Sequence, residues 1–137
     1  RVAGDTYFLA CSPKFRRGKL PTKPAQLAGL PLFRNEPTLW ETWFAAAGVQ
    51  MAPPASGIDY NDAALFLQQA IDAEGIVLTR RSLIGNDLSN GKLVQLFDVE
   101  VESVQSYHLV CLPQHATSRK VRAFRDWFVN EIDWPQK

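Results

Sequence analysis

The sequence predicts an α/β domain, and three observations carry that expectation. A helical pattern beginning at Asp59-Tyr60-Asn61-Asp62 reaches about Glu74 and stops at Gly75. The wholly apolar-leaning run Ile76-Val77-Leu78-Thr79 follows at once, as a strand covered on both faces in a parallel sheet would. The composition is that of a globular chain: 137 residues, 46% hydrophobic and 21% charged.

The elements follow in order. Thr6 to Ala10 reads as a strand, and Cys11-Ser12-Pro13 stops it. Residues 14–23 are basic and carry Gly18 and Pro21, so they read as a solvated loop. Residues 24–29 form a short helix, with Pro24 in the first turn, Leu27 on one face and Gly29 as the stop. Thr38 with Glu41 three residues on is a capping box. Trp40, Trp43, Phe44 and Ala47 then recur at helical spacing up to Gly48, a left-handed cap. At that spacing the tryptophans read as core rather than as a ligand stack.

Asp59, Asn61 and Asp62 are each candidate caps for the next helix, whose inward face is Ala64, Leu67, Ala70 and Ile71. Residues 83–88 suggest another short helix before Ser89-Asn90-Gly91. Strands are expected over 93–97, 99–104 and 106–112, with Glu100 and Glu102 alternating toward solvent on an edge strand. A last amphipathic helix spans about 118–132, with Val121, Phe124, Phe128, Val129 and Ile132 on one face. Tyr7-Phe8-Leu9-Ala10-Cys11-Ser12-Pro13 and Tyr107-His108-Leu109-Val110-Cys111-Leu112-Pro113 share Tyr, Leu, Cys and Pro in register. They read either as two strands with similar jobs or as coincidence.

Several functions lose support at this level. The net charge is +1, which argues against nucleic-acid binding by electrostatics alone. No run approaches the ~18 apolar residues of a membrane span. Gly-rich phosphate loops and a Gly-x-Ser-x-Gly elbow are missing, and His108 and His115 lack paired ligand spacing. No metal, cofactor or catalytic constellation is expected. Cys11 and Cys111 lie in apolar runs and read as two buried thiols of a cytosolic protein. The start, Arg1-Val2-Ala3-Gly4-Asp5, has no signal-peptide pattern and no Met, so the chain reads as a fragment or processed piece.

A binding function has positive support. Tyr60, Asn61 and Asp62 stand at a helix start, where backbone N–H groups and the dipole favour an anion. Asp62 opposes a negative ligand unless it caps its own helix or meets an amine. Arg80 follows the buried strand, at the mouth of the sheet, where a guanidinium suits a carboxylate. It reads equally as a surface arginine paired with a nearby acid.

The ordered set of these segments resembles the effector-binding domain of LysR-type transcriptional regulators, in the subgroup of glycine-cleavage and β-lactamase regulators. The resemblance is carried by Leu9-Ala10-Cys11-Ser12-Pro13, Trp40-Glu41-Thr42-Trp43 and Ala46-Ala47-Gly48. It continues through Asp62, Gln68-Gln69-Ala70-Ile71 and Gly75-Ile76-Val77-Leu78-Thr79-Arg80 to Asp87-Leu88, Gly91-Lys92-Leu93-Val94 and Phe97. It closes with Ser106-Tyr107-His108-Leu109-Val110 and Val121-Arg122-Ala123-Phe124-Arg125-Asp126-Trp127.

The resemblance implies a type 2 periplasmic-binding-protein-like fold of two α/β lobes. Residues 1–137 would be a partial effector domain. About 8–112 would form the second lobe with two crossing strands, and about 113–137 would return to the first lobe as a C-terminal helix. The N-terminal DNA-binding domain would lie outside the chain, promoter DNA being met through it. The implied function is sensing of a small-molecule co-inducer, a carboxylate, by a cytoplasmic, homo-oligomeric regulator. A fragment of an extracytoplasmic solute-binding protein is the alternative. The ligand wall implied by similar regulators falls on Tyr60, Asn61, Asp62 and Ala63, with Tyr107 facing the same cleft and Arg80 at the strand end. Relatives often carry Gly where this chain has Ala73. The 118–132 helix would leave apolar surface exposed, and protomers would pair through the 62–74 helix and the 76–79 strand.

Overall fold

A computed structural model describes residues 1–34, 37–55 and 62–131. Its centre is a sheet of three strands: β1 (Thr6–Cys11), β2 (Val77–Arg80) and β3 (Val94–Glu102), in the order β2-β1-β3. Every pair is antiparallel, with Leu9 opposite Leu78 on one side and Leu96 on the other. The expected parallel sheet is therefore corrected. Parallel pairing occurs at the bridge of Leu32 with Ile76, on the far side of β2. The expected double burial of Ile76, Val77, Leu78 and Thr79 does hold, because β2 has neighbours on both sides and helices on both faces. Burial on two faces reports layers, and it is silent about strand direction.

Alternation along β1 divides the core into two halves. Tyr7, Leu9 and Cys11 point to one face, where α1 (Pro37–Ala46) packs Trp40, Trp43 and Phe44. Phe8 and Ala10 point to the other, where α2 (Ala63–Ile71) packs Phe66, Leu67 and Ala70. Both faces of a central strand are apolar, which is why the TYFLAC run shows no polar alternation.

α1 starts at Pro37, so Thr38 lies inside the first turn and the expected capping box shifts out of register. The Thr38 carbonyl instead accepts from the Thr42 hydroxyl at 2.7 Å. The C-terminus is as expected: Gly48 takes φ +70°, Val49 N–H donates to Phe44 O and Gly48 N–H to Ala45 O. Both tryptophans are fully buried, and each indole N–H finds a carbonyl: Trp40 on Phe33 and Trp43 on Val99, both at 3.2 Å.

Asp62 caps α2, its carboxylate accepting from Ala64 N–H at 2.8 Å. The inward face turns by a step from the expected one, with Phe66 buried and Ala64 exposed. The helix ends before Gly75. Ala73 holds φ +66°, and the Ala73 and Glu74 N–H groups donate to Ala70 and Gln69 carbonyls. A non-glycine residue in this conformation costs about 1–2 kcal/mol, partly offset by the greater chain entropy glycine would lose. Ala73→Gly is therefore expected to stabilise the fold by about 0.5–1 kcal/mol, read as a higher midpoint in urea at unchanged slope.

The segments expected as two strands over 93–104 are one, β3, with an irregularity. Between the pairs Tyr7–Val101 and Leu9–Leu96 the register slips, and Phe97 takes φ +63° at that point. The expected alternation of Glu100 and Glu102 to solvent is present. The short helix expected over 83–88 is corrected: Leu83 closes a 3-10 turn at Arg81–Leu83, and residues 84–88 are bend and turn.

The two similar heptapeptides part company. The first is the central strand. In the second only Tyr107 pairs, by one antiparallel bridge to Ala3, so the expected strand over 106–112 is corrected. Leu109, Val110 and Leu112 are exposed, and so is Cys111, against expectation, whereas Cys11 is buried. α3 (Arg119–Glu131) buries none of its side chains, with Phe124, Trp127 and Val129 more than half exposed. This is the expected apolar surface; Ile132 lies outside the described residues.

Candidate functional site

Antiparallel pairing sets the start of β1 beside the end of β2, and polar side chains gather there. Tyr7 lies directly opposite Arg80. Arg80 Nε donates to the Tyr7 hydroxyl at 2.7 Å, and its guanidinium stands 5.2 Å from the centre of the Tyr7 ring. Arg80 Nη2 donates to the Gln105 side-chain oxygen. Burial works against the guanidinium charge, and hydrogen bonds and charge attraction from Tyr7, then Tyr107, outweigh it, so the Arg80 pKa lies above its ordinary value.

Two residues after Arg80, Ser82 links this group to both chain segments that enter the sheet. The Ser82 hydroxyl donates to Asp5 Oδ2 and stands 2.9 Å from the Tyr107 hydroxyl. Asp5 Oδ1 also accepts the backbone N–H groups of Thr6 at 3.0 Å and Ser82 at 3.2 Å. The Tyr107 segment is seated by backbone bonds, Val2 N–H to Tyr107 O and Tyr107 N–H to Ala3 O. Asp5, Tyr7, Arg80, Ser82, Gln105 and Tyr107 thus form one half-buried network around a permanent positive charge.

Of the expected site residues, Arg80 and Tyr107 come together here. Asp62 is turned to its own helix as the cap, one of the two conditions under which it was compatible with a negative ligand. Tyr60 and Asn61 lie outside the described residues. Among the described residues Arg80 donates to Tyr7 and Gln105, and a nearby acid pairs with its neighbour Arg81. Arg81 pairs with Glu100, lies 4.5 Å over the Phe8 ring and donates to Gln95 at 2.9 Å. Asp5, Tyr7, Ser82 and Gln105 were missed. The only trace was Tyr7 matching Tyr107 in the two heptapeptides; the rest required the register.

Burial pushes the Cys11 thiol up to about 11, which keeps it protonated and inert at neutral pH. Among the described residues no group of three or more His, Cys, Asp or Glu is placed to hold a metal ion. Among them, too, no helix is long and apolar enough to cross a membrane.

Residues 1–133 match the LysR substrate binding domain family. The glycine cleavage system transcriptional activator of Escherichia coli (strain K12) is 29% identical over 121 residues, covering 87% of this chain and 40% of that protein. The HTH-type transcriptional activator AmpR of Citrobacter koseri is 32% identical over 90 residues, covering 66% of this chain and 30% of that protein. The chain thus spans well under half the length of these curated relatives, which are transcriptional regulators. Among solved structures, the effector domain of the transcriptional regulator AmpR of Pseudomonas aeruginosa superposes with a TM-score of 0.78 at 25% identity, over 95% of this chain and 63% of that one. The CrgA regulatory domain from Neisseria meningitidis, at 22% identity, gives 0.70 over 95% and 66% and supports the fold. The layered α/β arrangement is accordingly that of a type 2 periplasmic-binding-protein-like effector domain. The chain belongs to the LysR substrate binding domain family.

Proposed function

We propose that this domain senses a small carboxylate-bearing effector for a bacterial LysR-type transcription regulator, and that the effector binds at the Arg80 end of the sheet. The observation that carries the reading is the convergence of Arg80, Tyr7, Ser82 and Tyr107 at a strand end, in a family whose relatives are named as transcriptional activators. A guanidinium offers five N–H donors in a fixed fork, and a carboxylate can replace Gln105, the exposed member of its partners. Tyr60, Asn61 and Asp62 are the further ligand contacts of this reading.

The same reading covers the rest of the protein. The segment 8–112 is the second lobe with its crossings, and 113–137 returns to the first lobe; the lack of a buried side chain on α3 supports this. Promoter DNA is met through a DNA-binding domain outside these residues. Protomers pair through α2 and β2, the protein works in the cytoplasm, and the domain has no catalytic role. Relatives that are regulators leave the solute-binding alternative without support. Effector binding shifts the population of two lobe arrangements, which requires unequal affinity for them.

The test is a thermal-shift screen of small carboxylates on the intact regulator. A ligand at about 100 times its Kd adds about 2.7 kcal/mol, a rise of several degrees. Arg80→Ala is expected to erase the shift of any binder, Asp62→Ala to reduce it, and Arg125→Ala, on exposed α3, to leave it intact. A shift that survives Arg80→Ala excludes this site.

A further inference from the structure

We infer that the basic loop over residues 14–23 is a second DNA contact, made by this domain itself, in which Arg16 and Lys19 hold the phosphodiester backbone. The inference rests on the reading of the chain as part of a DNA-bound regulator. It does not rest on the effector site, because the loop leaves the sheet at Cys11, the end of β1 away from Tyr7 and Arg80.

The net charge of +1 hides a segregation. Lys14, Arg16, Arg17, Lys19 and Lys23 put five cations and no acid into this loop, while the rest of the chain carries ten cations and fourteen acids. All five side chains are exposed. Among the described residues the ion pairs are Arg81–Glu100, Lys92–Asp87 and Arg125–Asp126, and none of them involves the loop. Like charges gathered without acids raise the local potential and attract an anion.

The backbone presents these charges at a cost. Arg16 and Arg17 hold φ +50° and +58°, in the left-handed region, before Gly18 at +82°. Glycine or asparagine would take these positions more cheaply. Strain of this kind persists where the surroundings enforce it, and it marks residues with a task. The surroundings do enforce it. Phe15 and Leu27 anchor the two ends of the segment in the core beside α1. Arg17 N–H donates to Lys14 O at 3.0 Å and Lys19 N–H to Arg16 O at 3.2 Å. The Gln26 side-chain oxygen accepts from the N–H groups of Thr22 and Lys23. Between these anchors Arg16 and Lys19 flank an open groove of about 230 Å³, completed by Leu20, Pro21, Gln26 and Leu30. None of its lining side chains is buried. An open groove with exposed cations suits a row of phosphates running past it, rather than one enclosed phosphate. Contacts of that kind position a protein on DNA without reading its sequence. Relatives of the chain are named as HTH-type transcriptional activators, so duplex DNA is the polyanion at hand.

The test is the affinity of the full-length protein for a mixed-sequence DNA duplex, measured by fluorescence anisotropy over a range of KCl concentrations. Each phosphate contact contributes about −0.9 to the slope of log K against log salt. Arg16→Gly combined with Lys19→Gln is expected to make the slope shallower by about 1.8 and to weaken binding about tenfold or more at low salt. Glycine relieves the left-handed backbone at position 16, so the urea midpoint is expected not to fall. Weaker binding without lost stability separates a lost contact from a damaged fold. Should the midpoint fall, Lys19→Gln alone, which leaves the left-handed turn untouched, decides by a change of about 0.9. Arg16→Lys with Lys19→Arg keeps both charges and is expected to keep the wild-type slope. Arg122→Gln, on exposed α3, is expected to keep it too. A wild-type slope in the charge-removing variants overturns the inference and leaves the regulator reading standing. That holds equally if those variants instead lose a thermal shift given by inorganic phosphate, since the loop then serves a small phosphate. A slope lowered as much per charge by Arg122→Gln also overturns it, because net charge rather than the loop would then set the slope. A full-length protein that binds no duplex overturns both the inference and the regulator reading.

Discussion

Trp43→Ala is expected to lower stability by about 3–5 kcal/mol, a large share of the roughly 5–15 kcal/mol that holds a domain of this size together. Trp43 is fully buried, and its ring lies 6.0 Å from that of Phe44 and 5.9 Å from that of Phe97, between α1 and the irregular part of β3. Truncation opens a cavity that neither neighbour can close, because Phe97 is held at φ +63° and Phe44 is part of the helix cap. It also removes the donor to the Val99 carbonyl. Trp43→Phe keeps most of the volume and loses the donor, so about 1–3 kcal/mol is expected. Trp127→Ala, with the side chain 55% exposed on α3, should stay within about 0.5 kcal/mol. Urea unfolding of the three variants checks the order, and a Trp127 variant as damaged as the Trp43 one would show that α3 is buried in solution.

Gly75→Ala is expected to cost about 1–3 kcal/mol, although the change adds a single methyl. The added carbon would lie 2.7 Å from the Pro31 carbonyl oxygen and 2.8 Å from the Phe33 ring. Part of that obstacle is backbone, and it is the backbone that bonds to β2: Ile76 N–H donates to Pro31 O and Phe33 N–H to Ile76 O, both at 2.9 Å. Relief therefore requires moving the 31–33 segment away from the strand it pairs with. Gly48→Ala provides the contrast. That position has φ +70° and open space around it, so the cost is the backbone conformation alone, about 1 kcal/mol. Thermal or urea unfolding that ranks Gly48→Ala as the more damaging would mean that the 31–33 pairing adjusts freely.

What could be read from the sequence was what neighbours in sequence decide. The Trp40, Trp43, Phe44 stripe and its Gly48 cap are local, and the structure places them as core and left-handed cap. The double burial of Ile76 to Thr79 was legible because its apolar run is unbroken. The end of α2 was assigned to Gly75, but the left-handed residue is Ala73, and Gly75 serves close approach instead. Glycine marks both needs, and the sequence does not say which. Strand direction, the slip in β3 and the difference between the two Tyr-to-Pro segments depend on distant partners. So does the polar cluster. Arg80 and Tyr107 stood out by residue type, while Asp5 and Ser82 are ordinary until the sheet sets them within hydrogen-bond reach, 77 residues apart in the chain.

The strand order has a consequence for how the protein is made. β1 is central, yet it is made before both of its partner strands, and Arg80, the partner of Tyr7, follows 73 residues later. At about 5–20 residues per second, several seconds pass in which Tyr7-Phe8-Leu9-Ala10-Cys11 has neither neighbouring strand. It is then an apolar, Pro-free segment with all its ladder N–H and C=O groups unpaired, the state in which strands join other chains. The nascent domain thus depends on whatever shields that segment until the second half of the chain arrives, and a holdase chaperone or the tunnel exit itself is the natural place for β1 to wait.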